Sequence, residues 1–387
     1  MTSAAVAQTS VKDSRIAGSA LAAQIKDGLR AEPPDAVVLF ASAEHDHGEL
    51  IAGLEDCRPR IVVGCSSAGE FAGAQSLTSS ASALAIRSTE HVFSAGLGQG
   101  LRSDLRGAAR QMTAGFHRAA STDYPFHTAL VLTDALAGHA EELLSELTVL
   151  TGAKYRFVGG GAGDDARFTR THVFFGGEVF TDAVVALEIR SQRPLGIGVS
   201  HGWHPVGRPL RITEAREMRV IGINGAPAAE ILEDFAAESG QVFDRQNPLP
   251  FFLHNVLGIE TGGGYKLRVP LQVHEDGSLS LAAEIPQNAM VRIMSVDHPS
   301  AVGAAARAVE AARAQLNGAK PAAALFFDCA ATRLRMGHGF NDELQEVEKS
   351  LSPARFAGCN TYGQLARDES QFSGFHNCTA VVCLFPG

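Results

Sequence analysis

A short apolar run that ends in a loop of small residues occurs three times in the sequence. The copies read VVGCSSAGE at 62–70, FVGGGAGDD at 157–165 and FAGCNTYGQ at 356–364. The first and third copies align without a gap, which matches Gly64 with Gly358, Cys65 with Cys359, Gly69 with Gly363 and Glu70 with Gln364; the middle copy needs one deletion. A sequence that repeats in this way folds into related units that pack against each other.

Each copy sits in the same order of predicted elements. Helical patterns at 12–30, 101–119 and 299–316 come first, followed by buried strands that begin at 36, 129 and 323. A shorter helix, the glycine-loop strand and a returning strand then follow in each copy. We therefore predict three related α-β-α-β-β units, with residues 203–298 inserted between the second and the third.

This order of elements also predicts the fold class. Strands that alternate with helices favour sheets covered by helices. A glycine pair between two apolar runs in 170–190 predicts a hairpin after the second loop, which argues against an all-parallel sheet. The predicted class is α/β: a layered sandwich of mixed β-sheets with helices, built from the three units plus the insertion.

The glycine-rich segment RFVGGGAGDDARF (156–168) fits neither common nucleotide-binding motif. Its glycines do not have the G-x-G-x-x-G spacing, and the residues that follow indicate sheet rather than the helix that a dinucleotide site requires. No G-K-[ST] follows either, so a P-loop is excluded.

Composition and charge indicate which kinds of partner and which cellular compartment to expect. The net charge is −9 with neutral histidines and no basic cluster stands out, so we expect no nucleic-acid partner. The six cysteines include no C-x-x-C pair, which fits a reduced, cytoplasmic protein. The N-terminus lacks a signal-peptide pattern and the sequence has no long apolar stretch, so we expect a soluble protein without membrane insertion.

The repeated loops predict a binding site for a small molecule. Loops at corresponding strand ends of related units converge, and ligands commonly bind beyond strand ends in such sheets. The candidate ligand-binding residues are Gly64, Cys65, Ser66, Glu70, Gly160, Gly161, Asp164, Asp165, Tyr362 and Asn377. The alternative is that the glycines permit tight turns.

Individual side chains leave alternatives open. Asp164 and Asp165 suit either a ligand ammonium or hard cation, or an ordinary acidic turn. Glu70 and Asp164 end equivalent loops, so their carboxylates either point into one pocket or lie at exposed ends. Cys65 is either a reactive thiol at a strand end or a packed, inert one.

Enzyme chemistry finds little support. Cys329 and Arg335 have a bare C-x5-R spacing, without the histidine and glycines of a phosphate-binding thiolate loop. Ser66 has Gly64 two residues before it but Ala68 two residues after it, so the G-x-S-x-G elbow of a hydrolase is incomplete. A Cys- or Ser-dependent hydrolase remains the weaker alternative to a non-enzymatic protein.

Several segments resemble the FIST family. The loops VGCSSAGE and GGGAGDD, the segments SHGWHPVGRPLRIT (200–213) and INGAPAAEIL (223–232), and the C-terminal FDCAATR, GCNTYGQL and FHNCTAVV are similar to FIST sequences across nearly the whole chain. The resemblance divides the chain into a FIST N-terminal domain at 1–225, with two units, and a FIST C-terminal domain at 226–387. The latter comprises residues 226–298 of the insertion and the third unit at 299–387.

The resemblance implies a bacterial, intracellular signal-input protein that binds a small ligand such as an amino acid. The sequence shows no output domain, so we expect action on a separate signalling protein such as a histidine kinase. Some family members bind haem, sense nitric oxide and regulate histidine kinases or cyclic-di-GMP enzymes, which makes haem an alternative ligand. A proximal haem ligand requires one competent histidine; the candidates are His201, His204, His338 and His376. Gln364 stands where the family pattern leads us to expect an acidic residue.

Overall fold

The computed structural model describes residues 1–117, 123–367 and 374–387. The first unit contains β1 (Thr2–Thr9), α1 (Ser14–Gly28), β2 (Ala36–Ser42), α2 (His47–Leu54), β3 (Val62–Ser67), β4 (Glu70–Ala72), β5 (Ser76–Leu77) and β6 (Ala81–Ser88). The second contains β7 (His91–Gln99), α3 (Leu105–Ala114), β8 (Phe126–Thr133), α4 (Ala140–Leu150), β9 (Arg156–Gly161), β10 (Val173–Phe175), β11 (Glu178–Phe180) and β12 (Ala183–Ser191). The predicted helix at 101–119 is thus shorter, and its last two residues lie outside the described part of the chain.

The third unit begins with β13 (Gly196–Ser200), and the insertion follows. The insertion contains β14 (His204–Pro205), β15 (Leu210–Arg216), β16 (Arg219–Ile223), β17 (Ala226–Pro227), α5 (Ala228–Ser239), α6 (Leu249–Phe252), β18 (Val256–Thr261), β19 (Gly264–Arg268), β20 (Pro270–Val273), β21 (Leu279–Leu281) and β22 (Met290–Ser295). The third unit continues with α7 (His298–Ala314), β23 (Pro321–Cys329), α8 (Ala330–Met336), α9 (Phe340–Leu351), β24 (Arg355–Thr361), β25 (Gln364–Arg367), β26 (Gly374–His376) and β27 (Ala380–Pro386).

The units have the same sheet topology, which confirms the predicted mixed α/β architecture. The described residues form three six-stranded sheets, with orders β1-β6-β2-β3-β10-β11, β7-β12-β8-β9-β25-β26 and β13-β27-β23-β24-β4-β5. In each sheet the two central strands (β2 and β3, β8 and β9, β23 and β24) are parallel and the other pairings are antiparallel. The strands of the insertion form a further sheet.

The hairpin after each glycine loop leaves its own unit and completes the sheet of another. The hairpin β4–β5 of the first unit pairs with β24 of the third, and β25–β26 of the third pairs with β9 of the second. The hairpin β10–β11 of the second unit pairs with β3 of the first, which closes the ring. We call this arrangement the hairpin exchange.

Each unit opens with a strand that the sequence analysis missed: β1, β7 or β13. These strands are rich in small residues and lack a strong alternation of apolar and polar residues, because a helix packs directly against each of them. A Cβ atom added to Gly96 of β7 would lie 1.8 Å from the Met112 carbonyl oxygen of α3, and one added to Gly198 of β13 would lie 1.8 Å from the Ala308 carbonyl oxygen of α7. Glycine inside a strand is the sequence signal of such a close backbone approach.

The inner faces of the sheets share one core within the described residues. Alternate residues of the central strands point inward, including Phe40 of β2, Leu132 of β8 and Phe327 of β23. The rings of Phe40 and Phe327 meet edge to face, with centroids 5.6 Å apart. The intervening residues, such as Leu39, pack outward against the helices.

Aspartate residues fix the starts of four helices. The carboxylates of Asp13, Asp46, Asp104 and Asp297 accept hydrogen bonds from backbone N–H groups in the first turns of α1, α2, α3 and α7. In the described part of the chain, no helix is both long and apolar enough to cross a membrane.

Candidate functional site

The three glycine loops lie together and are tied by backbone hydrogen bonds. Ala68 N donates to the Asn360 oxygen at 2.9 Å, Gly163 N to the Ser66 oxygen at 2.9 Å, and Gly161 N to the Gly363 oxygen at 2.9 Å. These bonds link the same three pairs of units as the hairpin exchange does. The loops therefore seal one end of the molecule, and the clefts lie beside this junction rather than at its centre.

The predicted glycines make room for packing. Gly64 of β3 lies opposite Phe174 of the exchanged hairpin, and an added Cβ would lie 2.8 Å from that ring and 2.1 Å from the Leu39 carbonyl oxygen. Gly358 of β24 has the same relation to Phe71. The first and third units therefore need glycine here to accept a large side chain from another unit.

Gly160 and Gly161 end β9 beside the third glycine loop. A Cβ on Gly160 would lie 2.8 Å from the Thr361 methyl group, and one on Gly161 would lie 2.7 Å from the Ala135 Cβ. Gly161 also lines a cleft, described below.

Cys65, Ser66 and Glu70 are fully buried. Cys65 lies in the shared core beside Cys359, so its thiol is packed rather than exposed at a strand end. Ser66 bonds the backbone of His172. Glu70 accepts hydrogen bonds from the hydroxyls of Ser67 and, at 2.6 Å, Ser80, and burial raises its pKa to about 7. Glu70 is therefore neither an exposed cap nor a lining residue of the clefts described below.

Asp164 and Glu70 do not occupy equivalent positions, contrary to the sequence alignment. Strand pairing places Glu70 opposite Cys359, Gln364 opposite Gly160 and Val173 opposite Cys65, so the second unit has Val173 at this position. The second loop is longer than the others, spanning 162–172, because extra residues precede its hairpin. Asp164 belongs to this extra segment.

The two aspartates and Tyr362 organise that longer loop. Asp164 accepts hydrogen bonds from the backbone N–H groups of 168–170 and from the Tyr362 hydroxyl, and these bonds hold its pKa low despite the opposing effect of burial. Asp165 accepts from Ser42 Oγ at 2.8 Å and from Ala43 N at 2.9 Å. The Tyr362 ring stacks on Phe168, with centroids 4.4 Å apart, and lines the same cleft as Gly161.

Asn377 and the candidate histidines do not line that cleft. Asn377 is buried after β26, where its amide donates to the His376 carbonyl oxygen at 3.3 Å. His376 is also buried, whereas His204 and His338 are exposed. His201 lies in a loop after β13, 2.9 Å from the Tyr265 carbonyl oxygen, and burial lowers its pKa.

The surroundings of these histidines do not fit haem. Of the four, His201 lines a described cleft, and that cleft has an enclosed volume of only about 20 Å³ and carries charged side chains. Sites for small organic ligands usually occupy ~300–1,000 Å³ and are mostly apolar, and haem is a large, flat molecule. His204 and His338 have no enclosed apolar surface around them, since both are exposed.

A larger cleft opens at the carboxyl ends of β8 and β9, and we call it the Thr133 cleft. Its empty volume is about 440 Å³. It is lined by Thr133, Ala135, Gly138, His139, Ala140, Glu141, Gly161, Met218, Ala282, Ala283, Glu284, Tyr362 and Phe375. The second unit supplies its floor, the insertion one wall and the third glycine loop another.

The floor of the Thr133 cleft carries unsatisfied hydrogen-bond donors. Thr133 is 1% exposed, and its Oγ1 has no hydrogen-bond partner among the described residues. Beside it begins the eleven-residue helix α4, whose first turn has no side-chain cap, because His139 occupies the cap position with a left-handed backbone. Uncapped N–H groups at a helix N-terminus favour an anionic ligand group.

The acidic side chains of the cleft differ in their partners. Glu141 forms an ion pair with Lys266 at 2.9 Å, lies 3.5 Å from Arg268, and accepts from Phe375 N. Its charge is therefore compensated within the protein. Glu284 is half-buried on the wall formed by the insertion, and Arg268 binds its backbone oxygen at 2.6 Å. The cleft thus presents donors on one side and a carboxylate on the other.

Comparison with known protein families gives matches to two domains. The FIST N domain matches residues 35–226 and the FIST C domain matches residues 228–367. The chain belongs to the FIST family. FIST domains are sensory domains of signal transduction, and the family is not catalytic.

Comparison with individual proteins adds little to this assignment. Among solved structures, T. maritima PurL complexed with ADP aligns with 99% of this chain and 71% of its own length, at 12% identity and a TM-score of 0.23. This likeness carries no conclusion about the fold or the function. No curated protein matches the sequence.

The Thr133 cleft lies where the FIST N and FIST C matches meet in space. Its floor comes from the FIST N match, and Glu284 and Tyr362 come from the FIST C match. Of the residues that the sequence analysis named as ligand-binding, Gly161 and Tyr362 line this cleft; it did not name Thr133, His139 or Glu284. The position of Thr133 at the carboxyl end of a repeated parallel strand was the available signal.

Proposed function

We propose that this FIST protein is a cytoplasmic sensor that binds a free amino acid in the Thr133 cleft and reports it to a separate signalling protein, such as a histidine kinase. The ligand carboxylate lies at the start of α4, where it accepts hydrogen bonds from the Thr133 hydroxyl and the uncapped N–H groups. The ligand ammonium group pairs with Glu284.

The buried, unpartnered hydroxyl of Thr133 is the observation that carries this proposal. Burying a hydroxyl without a hydrogen bond costs about 1–3 kcal/mol. A ligand that accepts from Thr133 Oγ1 removes this cost in the complex, so the side chain favours the bound state. The adjacent helix N-terminus selects a negative group for the same position.

Isothermal titration calorimetry of the full chain with a panel of L-amino acids tests the proposal. For each amino acid that binds, its decarboxylated amine and its deaminated acid are titrated into the complex as well. We expect the amine to displace the bound amino acid poorly, because it lacks the group that accepts from Thr133 and α4. If none of the panel binds, or if the amine displaces the bound amino acid as effectively as the parent amino acid does, the proposal is wrong.

Strand β8 offers a matched pair of variants. Thr133 and Thr128 are both buried on β8 with unpartnered hydroxyls, but Thr128 lies at the opposite end of the strand. We expect Thr133→Val to weaken binding by about 10-fold or more, the value of one hydrogen bond to a charged group. Thr128→Val serves as the control and keeps the wild-type affinity. Equal effects of the two substitutions would exclude direct contact with Thr133.

A further inference from the structure

A smaller cleft lies at the carboxyl end of β23, in the position that the Thr133 cleft has in the second unit. We call it the Glu343 cleft. Its empty volume is about 240 Å³, and its polar lining includes His201, Asp328, Thr332, Arg335, Glu343 and Cys378. It belongs to the third unit and shares no lining residue with the Thr133 cleft.

Two buried carboxyl groups meet in this cleft. Asp328 is 2% exposed and Glu343 is 1% exposed, and their carboxyl groups hydrogen-bond to each other. Among the described residues, no N–H or hydroxyl group donates to Oε2 of Glu343. Two carboxylates in contact inside a protein do not both ionise unless a cation compensates them, so the empty pair shares a proton.

When both carboxyl groups are ionised, the groups around them supply one positive charge too few for neutrality. Arg335 lies with its guanidinium carbon 5.8 Å from the centre of the Trp203 ring and contributes +1. Burial lowers the pKa of His201, and the hydrogen bond with Cys329 raises the pKa of the Cys378 thiol, so both stay neutral near pH 7. Two ionised carboxylates and Arg335 then sum to −1, with the exposed Asp297 at the rim.

We propose that the Glu343 cleft is a second ligand site, which binds the ammonium group of a small primary amine between Glu343 and Asp328. An ammonium group supplies the missing positive charge and three N–H donors. One of these can donate to Oε2 of Glu343, which accepts no hydrogen bond from the described residues. The enclosed volume of the cleft, about 20 Å³, restricts the ligand to an ammonium group with a short alkyl chain. This site is independent of the amino-acid site proposed above, and either can fail without the other.

Binding of the amine exchanges one cation for another. The ammonium group replaces the proton that the carboxyl pair shares, so one proton leaves the protein for each amine bound near pH 7. Simple adsorption of an amine to surface carboxylates, which are already ionised at that pH, releases no proton. The proton count therefore distinguishes this cleft from the acidic surface of the molecule.

The test is isothermal titration calorimetry of the full chain with methylammonium and propylammonium chloride at pH 7, in phosphate and in HEPES. We expect saturable binding of one amine per chain, with an enthalpy difference between the buffers that corresponds to about one proton released. Tetramethylammonium, which has no N–H donor, should not compete. The proposal is overturned if no amine binds, if the enthalpy is the same in both buffers, or if potassium competes as well as methylammonium.

Helix α9 supplies the variant and its control. Glu343→Gln keeps the side-chain shape and lets the amide donate to Asp328, but removes a charge that holds the ammonium group. We expect a loss of affinity of about 10-fold or more and no buffer dependence of the remaining heat. Glu348→Gln removes an exposed charge from the same helix and should bind as the wild type does. Undiminished binding by a folded Glu343→Gln protein contradicts the assignment.

Discussion

At the scale of single residues, Glu70 links the stability of the protein to pH. Its pKa is raised to about 7 by burial, against 4.5 for an ordinary glutamate. Between pH 4.5 and 7 the unfolded chain loses this proton while the folded chain keeps it. The contribution of Glu70 to stability is therefore largest below pH 4.5, decreases as the pH rises to about 7, and is constant above that pH.

Replacing Glu70 with glutamine should remove this dependence. We expect Glu70→Gln to match the wild type near pH 4 and to exceed its free energy of unfolding by about 3 kcal/mol at pH 8. The third unit already carries an amide, Gln364, at the corresponding position. Urea unfolding across this pH range checks the prediction, with the exposed Glu310→Gln as control. A pH dependence identical to that of the wild type would show that Glu70 ionises normally.

Gly64 gives a second prediction at this scale. An alanine Cβ there would lie 2.1 Å from the Leu39 carbonyl oxygen and 2.8 Å from the Phe174 ring. We expect Gly64→Ala to destabilise the protein by about 1–3 kcal/mol, as overpacking of a core does. Gly177→Ala is the control, because nothing lies within 4 Å of an added Cβ in that hairpin turn. Denaturant unfolding measures both, and a neutral Gly64→Ala would contradict the packing role.

The roles of individual residues were the least predictable from the sequence. The sequence analysis grouped Gly64, Gly160 and Gly161 as ligand-binding because the loops repeat, but the Cβ of residue 64 is excluded by a side chain about 110 positions away in the chain. The same limit applies to Thr133, since an unpartnered hydroxyl is defined by what surrounds it in three dimensions.

At the scale of elements, the repeated order of helices and strands was predictable. The central strands β2, β8 and β23, and the helices α1 and α7, lie within a few residues of their predicted positions, and the predicted shorter helix of each unit is present as α2, α4 or α9. Their signals are local, since each depends on its own hydrophobic periodicity. The hairpin β10–β11 was predicted for the same reason, but its partner strand was not, because pairing between units depends on contacts far apart in sequence.

The hairpin exchange predicts that damage in one unit appears in another. Phe174 belongs to the second unit but is fully buried against β3 of the first. We expect Phe174→Ala to cost about 3–5 kcal/mol and to raise the hydrogen-exchange rates of β3 amides more than those of β9. Val149→Ala, at an exposed site of the same unit, should change neither. Faster exchange confined to the second unit would contradict the prediction.

At the scale of the whole molecule, the segments of the two FIST matches complete each other's sheets. The hairpin β4–β5 from the FIST N segment completes the sheet of the third unit, and β25–β26 from the FIST C segment completes that of the second. The boundary between the two matches, near residue 227, therefore divides the sequence but does not separate two independent sheets.

Fragments test this interdependence. We expect residues 1–226 and 227–387, produced separately, to lack cooperative thermal unfolding by circular dichroism, because each then has a sheet without its edge hairpin. The control is the full chain cleaved once, after folding, in the exposed segment 241–247, which should stay assembled and unfold in one transition. Cooperative unfolding of the isolated 1–226 fragment would show that the segments are autonomous.

The exchange runs in one direction and returns to its start, so lone units of this kind could complete their sheets in the same way within a closed trimer of identical copies. The present chain contains that trimer as a single polypeptide. Identical subunits must change together, since one gene encodes them all, whereas three linked copies are free to differ. The two strand-end clefts described above differ in this way: the cleft of the second unit presents hydrogen-bond donors, and that of the third presents a pair of acids.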